Sequence, residues 1–442
     1  MAAIRNLLLF GMAALLVAGL SAPPAHAAMI GHGGDVKGVA ISPNGERALS
    51  ASFDYSLILW DIARQAPIQS LYDHNGAVNA AVFLPDGRRA LSVSDDGTMA
   101  LWDTESGALL HSFEGHQGRV VAVALSPDGR IAASAGWDWT VRLWDVPARR
   151  LLRTLSGHRG NVNSVAFAPD GKTLASAGYD GDIRLWRVAD GAPMKTLKGN
   201  GFGITSLAFA AGSETIVSAG IDETLRIRHI ATGEELKTLV GHEGTIYALA
   251  LTSDGRFMAS GGTDKLIRLW DLESGRLVRY MRGHDRPIWS LVFSADGKTL
   301  LTGGSDEVVR VWQVSNGGEI GVPFRMASAD EGGDGEPQDR GAKLFATCSV
   351  CHSLTADGGR RAGPTLYGLF GRPIGQVPGY RYSDALKNST IVWNEQTIND
   401  LFHQGPDRYV PGTKMPLQLM PKAEDRADLI TFLKRATAPN NN

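Results

Sequence analysis

Two thiols and an imidazole stand together once in this chain, at Cys348-Ser349-Val350-Cys351-His352. Cys348 and Cys351 are the only cysteines among 442 residues, which excludes a disulfide-rich scaffold. Their spacing fits three chemistries: a dithiol redox pair, half of a zinc site, or the attachment signal for a c-type haem. A zinc site would need further thiols, and the chain has none. In the haem reading both thiols add to the vinyl groups of one haem, and the next residue reaches the iron as an imidazole ligand. The adjacent His352 points to haem, and one covalent haem c per chain is the expected cofactor.

A second set of residues invites a catalytic reading. Serine, histidine and aspartate, the members of a hydrolase triad, recur along residues 31–324 with a period of 42. His32, His74, His116, His158, His242 and His284 hold one register, with Asn200 in the remaining place. Asp54, Asp96, Asp138, Asp180, Asp222, Asp264 and Asp306 hold another, each four residues after a serine or, once, Thr302. Trp60, Trp102, Trp144, Trp186, Trp270 and Trp312 hold a third, with Arg228 at the gap. A catalytic site is needed once, whereas this set recurs in nearly every repeat. It is read as structural.

The elements that must position these residues are short strands. In the third repeat Val120 to Leu125 is an apolar run followed by Ser126-Pro127-Asp128-Gly129, a turn with Pro second and Gly fourth. Ile131 to Ala135, Thr140 to Asp145 and Leu151 to Leu155 supply three more strands. A four-stranded sheet of 42 residues cannot bury both faces alone; stacking such sheets around an axis does so.

With Gly-His opening the repeats and Trp-Asp closing third strands at 60–61, 102–103, 144–145 and 270–271, this region resembles the WD-repeat family. Seven copies imply an all-β seven-bladed propeller over residues 28–326. The resemblance also implies a buried His-Ser-Asp-Trp hydrogen-bond chain in each blade, incomplete in the fifth. The last repeat carries its own fourth strand near Gly317 to Phe324, and only about two residues precede the first Gly-His after leader cleavage. The ring is therefore expected to close by blade-to-blade packing, without an N-terminal strand. The residue before each register aspartate and the second residue of each first strand are expected on the narrow face. Phe53, Trp137, Tyr179, Tyr247 and Trp289 are the aromatic ones.

Residues 327–340 read ASADEGGDGEPQDR, an acidic, glycine-rich linker without large apolar side chains. Residues 341–442 follow as a small all-α domain. The blocks Gly363-Pro364-Thr365-Leu366-Tyr367-Gly368-Leu369-Phe370-Gly371-Arg372 and Tyr409-Val410-Pro411-Gly412-Thr413-Lys414-Met415 resemble the class I cytochromes c. The resemblance implies Met415 as second axial ligand beside His352, and Pro364 as the carbonyl that orients the His352 ring. It places Arg372, Tyr382 and Trp393 around the propionates, with Thr413 near the same edge. Helices are expected at Gly341 to Thr347 and Glu424 to Arg435, with Phe345, Leu429, Phe432 and Leu433 in the core. Phe402 and Leu386 stand where the family has a tyrosine and an asparagine, so two polar groups near the haem are gone. Residues 327–442 carry 13 basic and 13 acidic side chains, unlike the lysine-ringed mitochondrial members.

With 44 basic and 46 acidic residues, 43% hydrophobic and 20% charged, the composition is that of an ordinary globular chain. The balance leaves no footprint for nucleic acid. Residues 1–27 read as a signal peptide: Arg5, an apolar run from Leu7 to Leu20, a break at Ser21 to Pro24, and Ala25-His26-Ala27 as cleavage site. The expected location is the periplasm, with no membrane segment after cleavage. Both axial positions filled suits electron transfer rather than catalysis, with the propeller docking an as yet unnamed redox protein. The alternative is a redox enzyme, a dehydrogenase or peroxidase, whose propeller forms part of the catalytic unit. Propeller dehydrogenases with a cytochrome have eight blades and an adjacent cysteine pair at the quinone, and this chain has no cysteine to spare.

Overall fold

Each repeat folds as its turns and strands dictate. In the third, strands Val120–Leu125, Ile131–Gly136, Thr140–Asp145 and Arg150–Ser156 pair antiparallel in sequence order. The Gly129 N–H donates to the Ser126 carbonyl at 2.8 Å and closes the turn between the first two. The computed structural model describes residues 28–199, 201–320, 340–349, 352–355, 364–378, 380, 382, 384–410 and 420–438. The leader, the linker up to residue 339, Cys351, Thr413 and Met415 lie outside these.

Seven four-stranded antiparallel sheets form the propeller. Its core is a set of seams, one between each pair of neighbouring blades. Leu49, Leu57 and Leu59 of blade 1 meet Val78, Phe83 and Trp102 of blade 2, and the pattern repeats to the seam where Val309 and Val311 of blade 7 meet Val36 and Trp60 of blade 1. Trp60, Trp102, Trp186 and Trp312 are among the most deeply buried side chains.

The first strand of every blade is bulged at its second residue, between Val36 and Gly38 in blade 1 and between Ile288 and Ser290 in blade 7. A bulge re-aims the side chain of the extra residue. Those residues are Lys37, Asn79, Val121, Asn163, Thr205, Tyr247 and Trp289, the set expected on the narrow face. They have no residue type in common.

Ring closure departs from the sequence expectation. Met29–Ile30 is a strand, paired antiparallel with Val308–Gln313 of blade 7 through Met29↔Val309 and Ile30↔Val308. The rest of that outer position comes from the other end of the domain. Glu319 bridges Trp312, the Ile320 N–H donates to the Val311 carbonyl at 2.7 Å, and Gln65 of blade 1 donates to the Ile320 carbonyl at 2.7 Å. Two N-terminal residues suffice because they complete a strand that the C-terminal segment has half built. Residues 321–324, where the fourth strand was expected to continue, lie outside those described.

The C-terminal part is helical: α1 (Arg340–Ser349), α2 (Asp384–Lys387), α3 (Glu395–Gln404), α4 (Pro406–Tyr409) and α5 (Ala423–Ala436). Helix α3 starts in a capping box, in which Asn394 and Thr397 satisfy each other's backbone N–H. Helices α1 and α5 cross at Gly341, where a Cβ would meet the Asp428 carbonyl oxygen at 2.3 Å, so a side chain there would force the helices apart. Phe345 and Phe432 meet beside the crossing, 5.3 Å between ring centroids.

Candidate haem site and narrow face of the propeller

Helix α1 carries Cys348 in its last turn, and the His352 N–H continues the helical ladder by donating to the Cys348 carbonyl at 2.8 Å. Thiol and imidazole are thus one turn apart. The His352 Nδ1 lies 2.8 Å from the Pro364 carbonyl oxygen. Donation there selects the tautomer that presents Nε2 as a ligand nitrogen. Burial pushes the free Cys348 thiol up to about 11, away from the reactive thiolate of a redox pair.

Arg372 donates to the Tyr367 and Thr365 carbonyls, both at 2.7 Å. Its own carbonyl accepts from the Trp393 N–H at 3.0 Å. Burial lowers the Arg372 guanidinium and raises the Tyr382 phenol, and the charge of each partly offsets the other's shift. Arg372, Tyr382 and Trp393 are therefore brought together. The walls are apolar: Leu366, Phe370, Leu386, Trp393, Leu401, Phe402 and Ile430 belong to one cluster with Cys348. A flat apolar group attached at Cys348 and ligated by His352 fits this donor and wall chemistry.

One polar residue of this region escaped the sequence reading. Arg426 is buried, donating to Asn399 at 2.8 Å and to the Met420 and Pro421 carbonyls. The Met420 N–H also donates to the Phe402 carbonyl. These bonds anchor the chain where it leaves the segment containing Met415. The available signal was a cation three residues before Leu429, on the helix's apolar stripe.

In the propeller the register residues form one repeated network. In blade 1 His32 bonds Asp54 through Nδ1 at 2.8 Å and Ser50 through Nε2 at 2.7 Å, and the Trp60 indole donates to Ser50 at 2.7 Å. Blade 4 repeats it with His158, Asp180, Ser176 and Trp186. Burial favours the neutral acid, but the histidine bond and the neighbouring backbone N–H outweigh it and hold Asp180 at about 2. In blade 5 Arg228 takes the tryptophan's place, donating to Ser218 at 3.3 Å and pairing with Glu235 at 3.0 Å.

In six blades the His–Asp bonds put both loops on the narrow face. Several bulge residues stitch blade to blade there. Asn79 donates to the Val120 carbonyl and Asn163 to the Ile204 carbonyl, both at 2.9 Å. Trp289 donates to Asp35 of blade 1 at 3.1 Å and to Ser305 at 2.6 Å. It stacks on Tyr247 with centroids 4.0 Å apart, and Lys37 lies over its other side. Burial, against the opposing pull of Asp35 and Asp95, brings the Lys37 ammonium down to about 7. Trp289, read from sequence as a face residue, is thus also part of the closing seam, with Tyr247 of blade 6 stacked on it. Trp139 and Phe202, exposed on the same face, were not singled out by either register.

A seven-bladed ring with a His-Ser(Thr)-Asp-Trp network in six of its blades, joined to a helical domain with a thiol-and-imidazole haem site, defines a propeller–cytochrome fusion. Comparison with known proteins agrees in both parts. The WD domain, G-beta repeat model matches residues 26–61, 65–103, 107–145, 149–187, 191–228, 233–271 and 275–313, and the cytochrome c model matches residues 338–437. The chain belongs to the WD-repeat family and ends in a cytochrome c domain, whose cofactor is haem c. That domain is 48% identical over 99 residues to the cytochrome c of Gibberella zeae, covering 22% of this chain and 92% of the relative. It is 44% identical over 113 residues to that of Sesamum indicum, covering 25% and 100%. Against that of Arabidopsis thaliana it is 48% identical over 99 residues, covering 22% and 88%.

Proposed function

We propose that this protein is an exported electron-transfer protein, a cytochrome c whose WD-repeat propeller docks its redox partner. The observation that carries the reading is His352, with Nδ1 on the Pro364 carbonyl at the edge of an apolar cluster that contains Cys348. Haem c supplies one-electron chemistry. The chain's own residues hold the ligand ring in one tautomer, exclude water with Leu401 and Phe402, and place Arg372 and Tyr382 where a propionate's charge would be met. The cytochrome c relatives support haem-based electron transfer. The leader-like residues 1–27 support export to a periplasm, and the seven-fold narrow face supports docking.

The test uses the full chain purified with its haem. Acid-acetone extraction should leave the colour on the protein. The ferric form should be low-spin, and Met415→Ala should open the iron to small ligands and lower the potential. Wild-type protein should exchange electrons with small mediators yet turn over neither peroxide nor alcohols. Steady peroxide turnover by the wild type would establish the peroxidase alternative instead.

A further inference from the structure

The narrow face is not evenly built. On the side of blades 7 and 1 Trp289 is bound into the ring, and of the aromatics there Phe53 is exposed. On the opposite side, blades 3 to 5 leave Trp139, Tyr179, Phe202 and Ile221 exposed, and these form one continuous strip. Tyr179 and Ile221 converge over Gly203, where a Cβ would meet them at 2.7 and 2.8 Å. The Phe202 carbonyl lies against Gly181. Trp137 meets Tyr179 edge-on, 6.4 Å between centroids. Asn161 accepts the Trp139 indole N–H on its side chain and the Tyr179 backbone N–H on its carbonyl.

Trp139 is the telling residue. It sits at φ +66°, in the left-handed region where blades 2 and 4 have Gly97 and Gly181 at +84° and +74°. A bulky L residue there crowds its own Cβ against the backbone. Four other blades also carry a side chain at this place, Tyr55, Glu223, Lys265 and Glu307. Tyr55 is half-buried and the other three are charged, whereas Trp139 stands 53% exposed. The fold gains little burial from it, and strain of this kind gathers at functional surfaces.

The strip is rimmed by Arg119, Arg159 and Lys198, paired with Asp95, Asp182 and Asp182. The cations lie above the carboxylates: the Arg159 side chain is 72% exposed and its partner Asp182 only 7%. Solvent therefore meets an apolar strip edged by these cations on blades 3 and 4, with Glu223 exposed at its blade 5 end.

We propose that this strip docks an acidic protein partner, which inserts an apolar side chain among the rings while its carboxylates meet Arg119, Arg159 and Lys198. The proposal rests on the propeller being the docking module, and assigns the sector of the face and the charge of what binds it.

The test is fluorescence anisotropy on the full haem-loaded chain with three labelled peptides. One is acidic with a central Leu-Trp, one is the same with lysines for the acids, and one is acidic with a central Gly-Gly. The first should bind about tenfold or more tighter than the other two, and moderate salt should weaken it. Trp139→Gly should cost about tenfold in affinity with thermal midpoint and haem spectrum unchanged, since glycine suits the backbone there. Phe202→Ser should act alike, and Arg159→Glu should abolish the preference for acid over lysine. Equal binding of acidic and basic peptides, or undiminished binding by Trp139→Gly, overturns the proposal. So does a wild-type dimer that Trp139→Gly dissolves, since the strip then meets a second copy. Mediator electron transfer is scored separately. Its loss with the peptide ranking intact refutes the electron-transfer reading alone, and the converse refutes the docking strip alone.

Discussion

Ser176 shows what one hydroxyl does in this fold. It bonds His158 Nε2 at 2.7 Å and accepts the Trp186 indole N–H at 2.8 Å, in an interior where neither group can reach water. Removing it leaves two buried polar groups short of a partner, at a cost of about 1–3 kcal/mol each. Ser176→Ala should therefore lower propeller stability by about 2–4 kcal/mol in denaturant titrations followed by tryptophan fluorescence. Blade 5 supplies the control. There Arg228 reaches Ser218 at 3.3 Å and is also neutralised by Glu235, so Ser218→Ala should cost only about 1 kcal/mol. Equal losses from the two substitutions would mean that the network is no tighter in the tryptophan blades than in the arginine blade.

Among the elements, the closing strand is the shortest and the most consequential. Ile30 is exposed on the side-chain side, so Ile30→Pro tests its backbone alone. Loss of the N–H and the fixed φ should destabilise the propeller by about 3 kcal/mol without altering the haem spectrum; an unchanged denaturation midpoint would show that packing alone closes the ring. This strand also marks where the sequence stops being legible. The blades could be read because the same histidine, serine, aspartate and tryptophan recur at one spacing, and the haem attachment site because Cys348, Cys351 and His352 are contiguous. Met29 keeps the 42-residue register of Leu71, Phe113, Leu155, Leu197, Leu239 and Met281, but two residues are too short a run to read as a strand, and they are one only because Val308 and Val309, some 280 residues on, offer an edge. The bulges were equally hidden, since Lys37, Asn79 and Trp289 share a backbone position but no chemistry. For the same reason the sequence grouped Trp289 with Trp137, although one indole is bound into the closing seam and the other lies beside the exposed strip. Arg426 eluded the reading because its partners are mostly backbone carbonyls, which no motif records.

Taken as a whole molecule, six of the seven blades share one titration. Asp54, Asp96, Asp138, Asp180, Asp264 and Asp306 are all held below the ordinary carboxylate range. In each, burial pulls the other way and is outweighed, chiefly by the histidine alongside. A carboxyl depressed in the folded state contributes stability above its unfolded value near 3.8, and that stability is lost as pH falls through the folded value, about 2 for Asp180. The contribution of these six groups should thus be constant from neutrality to about pH 5 and fall between about pH 4 and 2. Denaturation midpoints measured across this range check it, and a marked acid-side decline between pH 7 and 5 would assign the sensitivity to other groups. The composite outer strand of blade 7 has a consequence of another kind, in time. A chain made from its N-terminus presents Met29 and Ile30 before any blade, yet their partners Val308 and Val309 and the half-strand ending at Ile320 come nearly 300 residues later. Blades 1 to 6 can assemble in the order of synthesis, while Met29 and Ile30 wait, unpaired, for the last-made blade. The haem-binding segment also comes late in the sequence, so the ring and the haem site are both completed by the last third of the chain.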